Sequence, residues 1–208
     1  MSGFEFAFLW AAWVVASGSP GPATLSIAGT SMNGGRRDGV IFALGILSGS
    51  AAWGIAAALG MGAMMFANAW LFSGLRYAGA AYLLYLAFKS LRSALAAGKA
   101  EMPRACSGAG MQLSTRGMLI HLTNPKAILS WGAIYAVVLP QGAGLFQLFS
   151  IFAFLFSGSI LVFVGYAVLF STTGVVRVYQ RLQAWFEMVF ATLFGVAAFK
   201  VLTTRVSE

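Results

Sequence analysis

Three long stretches without a formal charge constrain this chain more than anything else in it. Residues 6–35 contain no Asp, Glu, Lys or Arg, and neither do residues 39–75 or 127–176. About 20 apolar residues in a helix cross the ~30 Å hydrocarbon core of a bilayer, so each run is long enough to span. The last is long enough for two spans, with Pro140, Gly142 and Gly144 supplying the turn. Of the 208 residues 9% are charged and 60% hydrophobic, whereas about a quarter of a soluble domain is charged. A soluble fold of this size has no way to cover so much apolar surface. The reading is therefore an all-α integral membrane protein, a single transmembrane domain over residues 1–208.

Six hydrophobic segments are legible, at about residues 4–32, 39–66, 74–95, 116–139, 145–170 and 184–203, with a polar, Gly-rich linker at about 98–112. The basic residues fall unevenly between the two sides that six crossings define. Arg36, Arg37, Lys89, Arg92, Lys99, Arg104, Arg116, Arg177 and Arg181 share one side, and Arg76, Lys200 and Arg205 the other. Cytoplasmic loops retain Lys and Arg, so the linker is expected in the cytoplasm and both termini outside. The same bias accounts for the net charge of +8 without a nucleic-acid partner. The lone cysteine, Cys106, leaves no intramolecular disulfide and no cysteine metal site. No Lys or Arg precedes the first apolar stretch, which carries Glu5 instead; a cleaved signal has a basic start, so the first segment is expected to stay in the mature protein.

The first and fourth segments are each interrupted by proline, at Pro20-Gly21-Pro22 and at Asn124-Pro125-Lys126. Each is followed by two uninterrupted segments. Three crossings per half make the second half enter from the opposite face, so the pattern predicts two inverted three-helix repeats, at about 4–97 and 113–205, the architecture of many secondary transporters.

Pro20 and Pro22 lack backbone N–H groups and clash with the carbonyls four residues back, at Ala16 and Gly18. Unpaired backbone at membrane depth is tolerated where protein or a water-filled cavity meets it. The break is either a structural kink or one wall of a substrate site, with Ser17, Ser19 and Thr24 beside it. At the second break Asn124 is a favoured N-cap and Pro125 a favoured first helical residue, so a half-helix is expected to start inside the membrane. Lys126 then places a full positive charge at a helix end that is already positive. A Lys at the bilayer centre costs about 2.5–3.5 kcal/mol on insertion scales. Glu5, Asp38, Glu101, Glu187 and Glu208 all read as loop or segment-end residues, so no carboxylate offsets Lys126. Its partner is expected to be a substrate carboxylate; alternatively, Lys126 snorkels or pairs with carbonyls freed at the first break.

Tyr82, Tyr85, Lys89 and Arg92 recur at helical spacing on one face of the third segment. They line a pathway or form an interfacial belt of aromatics and snorkelling cations. Gly45 and Gly49 form a GxxxG pair, which permits close packing within the subunit or across a homodimer. His121 reads as a core or polar-cavity histidine rather than a proton relay. There is no P-loop, no GxSxG and no HExxH, so neither ATP hydrolysis nor an enzyme of those classes is expected, and no cofactor or metal.

The combination of Ser19-Pro20-Gly21-Pro22, of residues 79–86 (GAAYLLYL) running on into Lys89 and Leu91-Arg92-Ser93, and of Asn124-Pro125-Lys126-Ala127 resembles the lysine exporter family (LysE), and within it the homoserine/threonine-resistance branch (RhtB). The glycine spacing through Gly35, Gly39, Gly45 and Gly49 fits as well, and the likeness runs the length of the chain. It implies a bacterial inner-membrane exporter of amino acids or close derivatives, driven by the proton-motive force without ATP. It also implies a central site at Pro20, Gly21, Pro22, Asn124, Pro125 and Lys126. With few acidic residues to balance a cationic side chain, a neutral or weakly polar amino acid is the expected cargo. The rival readings are an exporter of another small solute or ion, and a non-transporting membrane scaffold.

Overall fold

The structure, a computed structural model, describes residues 3–67, 69–95, 105–138 and 143–203. Among these residues the chain is helical throughout its regular structure: α1 (Gly3–Gly18), α2 (Pro22–Ala67), α3 (Ala69–Leu95), α4 (Gly110–Leu122), α5 (Pro125–Val138), α6 (Leu145–Leu169) and α7 (Thr173–Thr203). The expected turn residues Pro140 and Gly142, linker residues 98–104, and Arg205 and Glu208 lie outside the described residues.

α2 is two helices rather than one. Gly35 adopts φ 78° and ψ −177°, a backbone that residues with a side chain rarely enter. Ser31 and Gly39, placed symmetrically about it, are in contact, and a Cβ on Gly39 would collide with the Ser31 side chain. Eight residues of continuous helix would hold them about 12 Å apart, so the chain reverses at Gly35. Ile27 and Ala23 pack with Ala43 and Leu47 in one buried cluster, as a hairpin requires. Residues 22–34 thus complete the first sequence segment, and residues 36–67 form the second.

Glycine sets the next packing level. A Cβ on Gly45 would fall on the Ser114 backbone, one on Gly49 would meet His121 Cβ and Met118 O, and one on Gly117 would strike the Phe42 carbonyl. The GxxxG pair of α2 is therefore spent on α4 of the same chain, at backbone contact. Because Gly45 meets Ser114 and Gly49 meets residues further along α4, these two helices run the same way. α1 and α6 pack as a second pair, through Trp10 to Ser157 and Trp13 to Ser159. The third pair is α3 and α7, joined by Leu86 against Phe194.

Besides α3, which begins at Ala69 rather than near Gly74, two element boundaries differ from the sequence reading. α4 begins at Gly110 rather than near Arg116, and α7 begins at Thr173 rather than near Ala184. Both extensions are polar or basic turns, which a reading tied to apolar length cuts off although the helix continues through them. The second difference matters for the site, because it moves Glu187 from a segment edge to the middle of α7.

Candidate functional site

The two proline breaks meet. α1 stops at Gly18, and the N–H groups that would have served the Ala16 and Gly18 carbonyls are missing at Pro20 and Pro22. Those carbonyls are not left open: Ser19 Oγ donates to Ala16 O at 2.9 Å, and Tyr166 OH on α6 donates to Gly18 O at 2.6 Å. Each carbonyl orphaned by a proline thus finds one donor within the fold, as buried carbonyls do. α2 then starts with Gly21 as cap and Pro22 as first residue. Thr24 Oγ1 reaches back to accept the Gly21 N–H at 3.0 Å, which is one arm of a capping box.

The second break follows the same grammar. His121 O and Leu122 O lose their helical partners at Pro125 and Lys126. Asn124 N–H donates to His121 O at 3.1 Å, and the Trp53 indole donates to Leu122 O at 3.1 Å. Asn124 Oδ1 accepts the Lys126 N–H at 3.1 Å, as an N-cap side chain should, and Ala127 N–H bonds to Asn124 O at 3.0 Å to start α5.

Lys126 joins the breaks. Its Nζ donates to Ser19 O at 2.8 Å and also to Ser19 Oγ. The ammonium thus meets the C-terminal end of α1, where the helix dipole is negative and favours a cation. Of the two partners expected for Lys126, the structure shows the carbonyl side of the first break. Over this contact lies a cavity whose polar lining comes from Ser17, Thr24, Ser50, His121, Asn124, Lys126 and Ser130, with Trp13, Trp131 and Phe163 as aromatic walls. Trp13 and Trp131 sit 4.4 Å apart between ring centroids, and Trp131 is tied down by its indole bond to Ser50 Oγ at 3.1 Å. His121 is 4% exposed, and its Nδ1 has no hydrogen-bond partner.

Residues 14–205 match the family described as LysE type translocator. The chain belongs to that family. It is a family of membrane translocators, not enzymes. Among relatives, the threonine efflux protein of Salmonella typhimurium is 29% identical over 197 residues, covering 92% of this chain and 94% of that protein. The threonine efflux protein of Escherichia coli strain K12 is 28% identical over 194 residues, with the same shares. The homoserine/homoserine lactone efflux protein of Salmonella typhimurium is 29% identical over 170 residues, covering 81% of this chain and 77% of that one. No solved structure matches.

In this LysE translocator Gly21, Thr24, Asn124 and Lys126 line the cavity. Ser19 is buried behind it, holding Lys126. Pro20, Pro22 and Pro125 shape the chain at the breaks without lining the cavity. Tyr82 and Tyr85 stack on α3 at 6.0 Å. Neither lines the cavity, nor does Lys89, and Tyr85 and Lys89 are exposed. Reasoning from sequence missed Tyr166, Trp53 and Glu187. The first two carry no local signal, because each serves a carbonyl far away in the chain. Glu187 did carry one: a carboxylate within reach of a second apolar stretch, had the helix been extended upstream. It is 5% exposed, and Ser93 Oγ donates to its Oε1 at 3.2 Å. Read as a segment-end residue, it is a buried acid near the midpoint of the longer helix α7.

Proposed function

We propose that this translocator exports small neutral or weakly polar amino acids across the bacterial inner membrane. Cargo binds in the cavity between the two breaks, and alternating access about that site is driven by the proton-motive force. The observation that carries the reading is Lys126 at the cavity edge, held by a single neutral residue, Ser19. A cargo carboxylate is a stronger partner for an ammonium than a neutral carbonyl, because charge-assisted hydrogen bonds are roughly twice as strong as neutral ones. The N-termini of α2 and α5 both open beside it and favour an anion. The orphaned His121 Nδ1 is the group left to meet a side-chain hydroxyl, in keeping with relatives named for threonine and homoserine efflux.

The packing directions support the inverted repeat. Residues 36–67 run parallel to α4 and antiparallel to residues 22–34, so the two broken segments run in opposite directions. Each half then reads as helix, break, proline-started helix and two further helices. In this arrangement the linker is cytoplasmic and both termini are outside.

The test is efflux from vesicles loaded with labelled L-threonine, L-homoserine or L-valine, with the purified protein reconstituted and a proton gradient imposed. The reading expects saturable, gradient-dependent efflux, fastest for the hydroxylated pair. Efflux no faster than from loaded, protein-free vesicles for all three would sink it. Reporter fusions at Cys106 and after Glu208 test the topology, and the same side for both would overturn it.

A further inference from the structure

The reading above gives Lys126 a cargo carboxylate but names no charged partner for the cargo ammonium, and the Ala16 and Gly18 carbonyls each already accept one hydrogen bond. Glu187 is the one buried carboxylate among the described residues, and nothing so far uses it. It sits where α7 packs on α3, hydrogen-bonded by Ser93 and Ser90. The same interface abuts the cavity wall, because Ala16 both lines the cavity and packs against Leu86 and Phe194. Glu187 and Lys126 lie within electrostatic reach of one another.

We propose that Glu187 is the coupling residue: it holds either the cargo's α-ammonium or a proton, never both, while Lys126 holds the cargo's carboxylate. The proposal rests on the amino-acid reading of the site. A zwitterion then lies head to tail between two fixed opposite charges. Glu187 does not line the cavity in this structure, so loading requires a rearrangement at the α3–α7 interface that brings its carboxylate to the cargo.

Mutual exclusion on one carboxylate fixes the direction of transport. On the side of higher pH and abundant cargo, the ionised Glu187 takes the ammonium. On the more acidic outer side a proton from water adds to a carboxylate oxygen, the ammonium leaves unchanged, and the cargo departs. The return carries Lys126 charged and Glu187 neutral, a net positive charge moving inward, which an inside-negative membrane potential favours. The groups facing Glu187 are consistent with this exchange. Ser93 and Ser90 of α3 hydrogen-bond Glu187, Lys89 of α3 and Lys126 of α5 lie within electrostatic reach, Val15 and Ala16 of α1 and Tyr82 of α3 pack on the neighbouring contact of Leu86 with Phe194, and His121 of α4 lines the cavity with Lys126.

The test measures L-threonine binding to the full-length purified protein against pH, with proton release followed by a dye in weak buffer. Efflux driven by an imposed gradient is measured in parallel. Wild-type protein is expected to bind more weakly as pH falls and to release a proton on binding. Glu187→Gln is expected to bind at least about tenfold more weakly, without pH dependence or proton release, and to lose gradient-driven efflux. Should Glu187→Gln not fold, Glu187→Asp decides: a displaced pH midpoint with coupling kept supports the proposal, and an unchanged pH profile overturns it. Glu187→Gln with wild-type proton release and gradient-driven efflux also overturns it. If the wild type binds neither L-threonine nor L-homoserine at any pH, the amino-acid reading itself fails, and this proposal with it. Wild-type binding with no proton release defeats Glu187 alone.

Discussion

Lys126 Nζ donates a 2.8 Å hydrogen bond to the carbonyl oxygen of Ser19, 107 residues earlier in the chain. That bond ties the start of one broken helix to the end of another, and it gives the Lys126 ammonium a hydrogen-bond partner. Lys126→Met removes the charge and much of its insertion cost, about 2.5–3.5 kcal/mol for a lysine at the bilayer centre. The variant is expected to insert and melt at least as well as wild type while losing L-threonine binding. Lys126→Arg keeps the charge, but its planar fork does not fit a niche shaped for a point charge, and transport should fall as well. Binding isotherms and melting curves on the same preparations check both statements. Wild-type affinity in Lys126→Met would remove the residue from the site.

Gly45 gives a prediction that concerns packing alone. A Cβ there would land on the Ser114 backbone, which has no side chain to swing aside, whereas one on Gly60 would meet nothing within 4 Å. Gly45→Ala should therefore destabilise by about 1–3 kcal/mol, the usual cost of overpacking. Gly60→Ala should be neutral or slightly stabilising, because Ala is the better helix former. Thermal or denaturant unfolding in detergent distinguishes them, and equal midpoints would contradict the close approach of α2 and α4.

Much of this was legible in the sequence because it depends on local chemistry. Asn124-Pro125 reads as cap and first turn whatever surrounds it, and Asn124 Oδ1 does accept the Lys126 N–H. Pro20 and Pro22 orphan the carbonyls four residues back by covalent necessity. What meets those carbonyls is a different question. Tyr166 and Trp53 come from helices far along the chain, and no spacing in the sequence announces them. Glu187 was misplaced for another reason: apolar length marks where a helix is greasy, not where it begins, and the basic turns of Arg177 and Arg181 belong to the same helix.

Tyr166 tests whether the first break is held open by specific bonds. Its hydroxyl is the donor seen on Gly18 O, at 2.6 Å. Tyr166→Phe keeps the ring, which stacks on Phe170 at 5.1 Å, and deletes the hydroxyl that makes that bond. A buried acceptor left without its partner costs about 1–3 kcal/mol. The melting temperature should fall accordingly, while L-threonine binding, which this bond does not touch, should change little. No loss of stability would mean that another donor reaches Gly18 when Tyr166 is cut back.

His121 carries the prediction about selectivity. It is buried in the cavity wall beside Phe163, ring centroids 5.5 Å apart, and its Nδ1 has no partner within the protein. A buried polar atom left without a partner costs free energy, and a cargo hydroxyl would relieve that cost while a methyl group would not. The site should therefore prefer L-threonine to L-valine, which differ by a hydroxyl in place of a methyl. Replacing the imidazole by an apolar side chain, as in His121→Leu, removes both the penalty and the reward. Threonine binding should weaken, valine binding should hold or improve, and the ratio of their affinities should fall about tenfold, the worth of roughly one hydrogen bond. Competition of unlabelled L-valine against labelled L-threonine measures that ratio directly in wild type and variant. A ratio unchanged in His121→Leu, with threonine binding intact, would assign the histidine to the packing of α4 and leave the hydroxyl to be read elsewhere in the cavity, with Ser50 and Ser130 the next groups to vary.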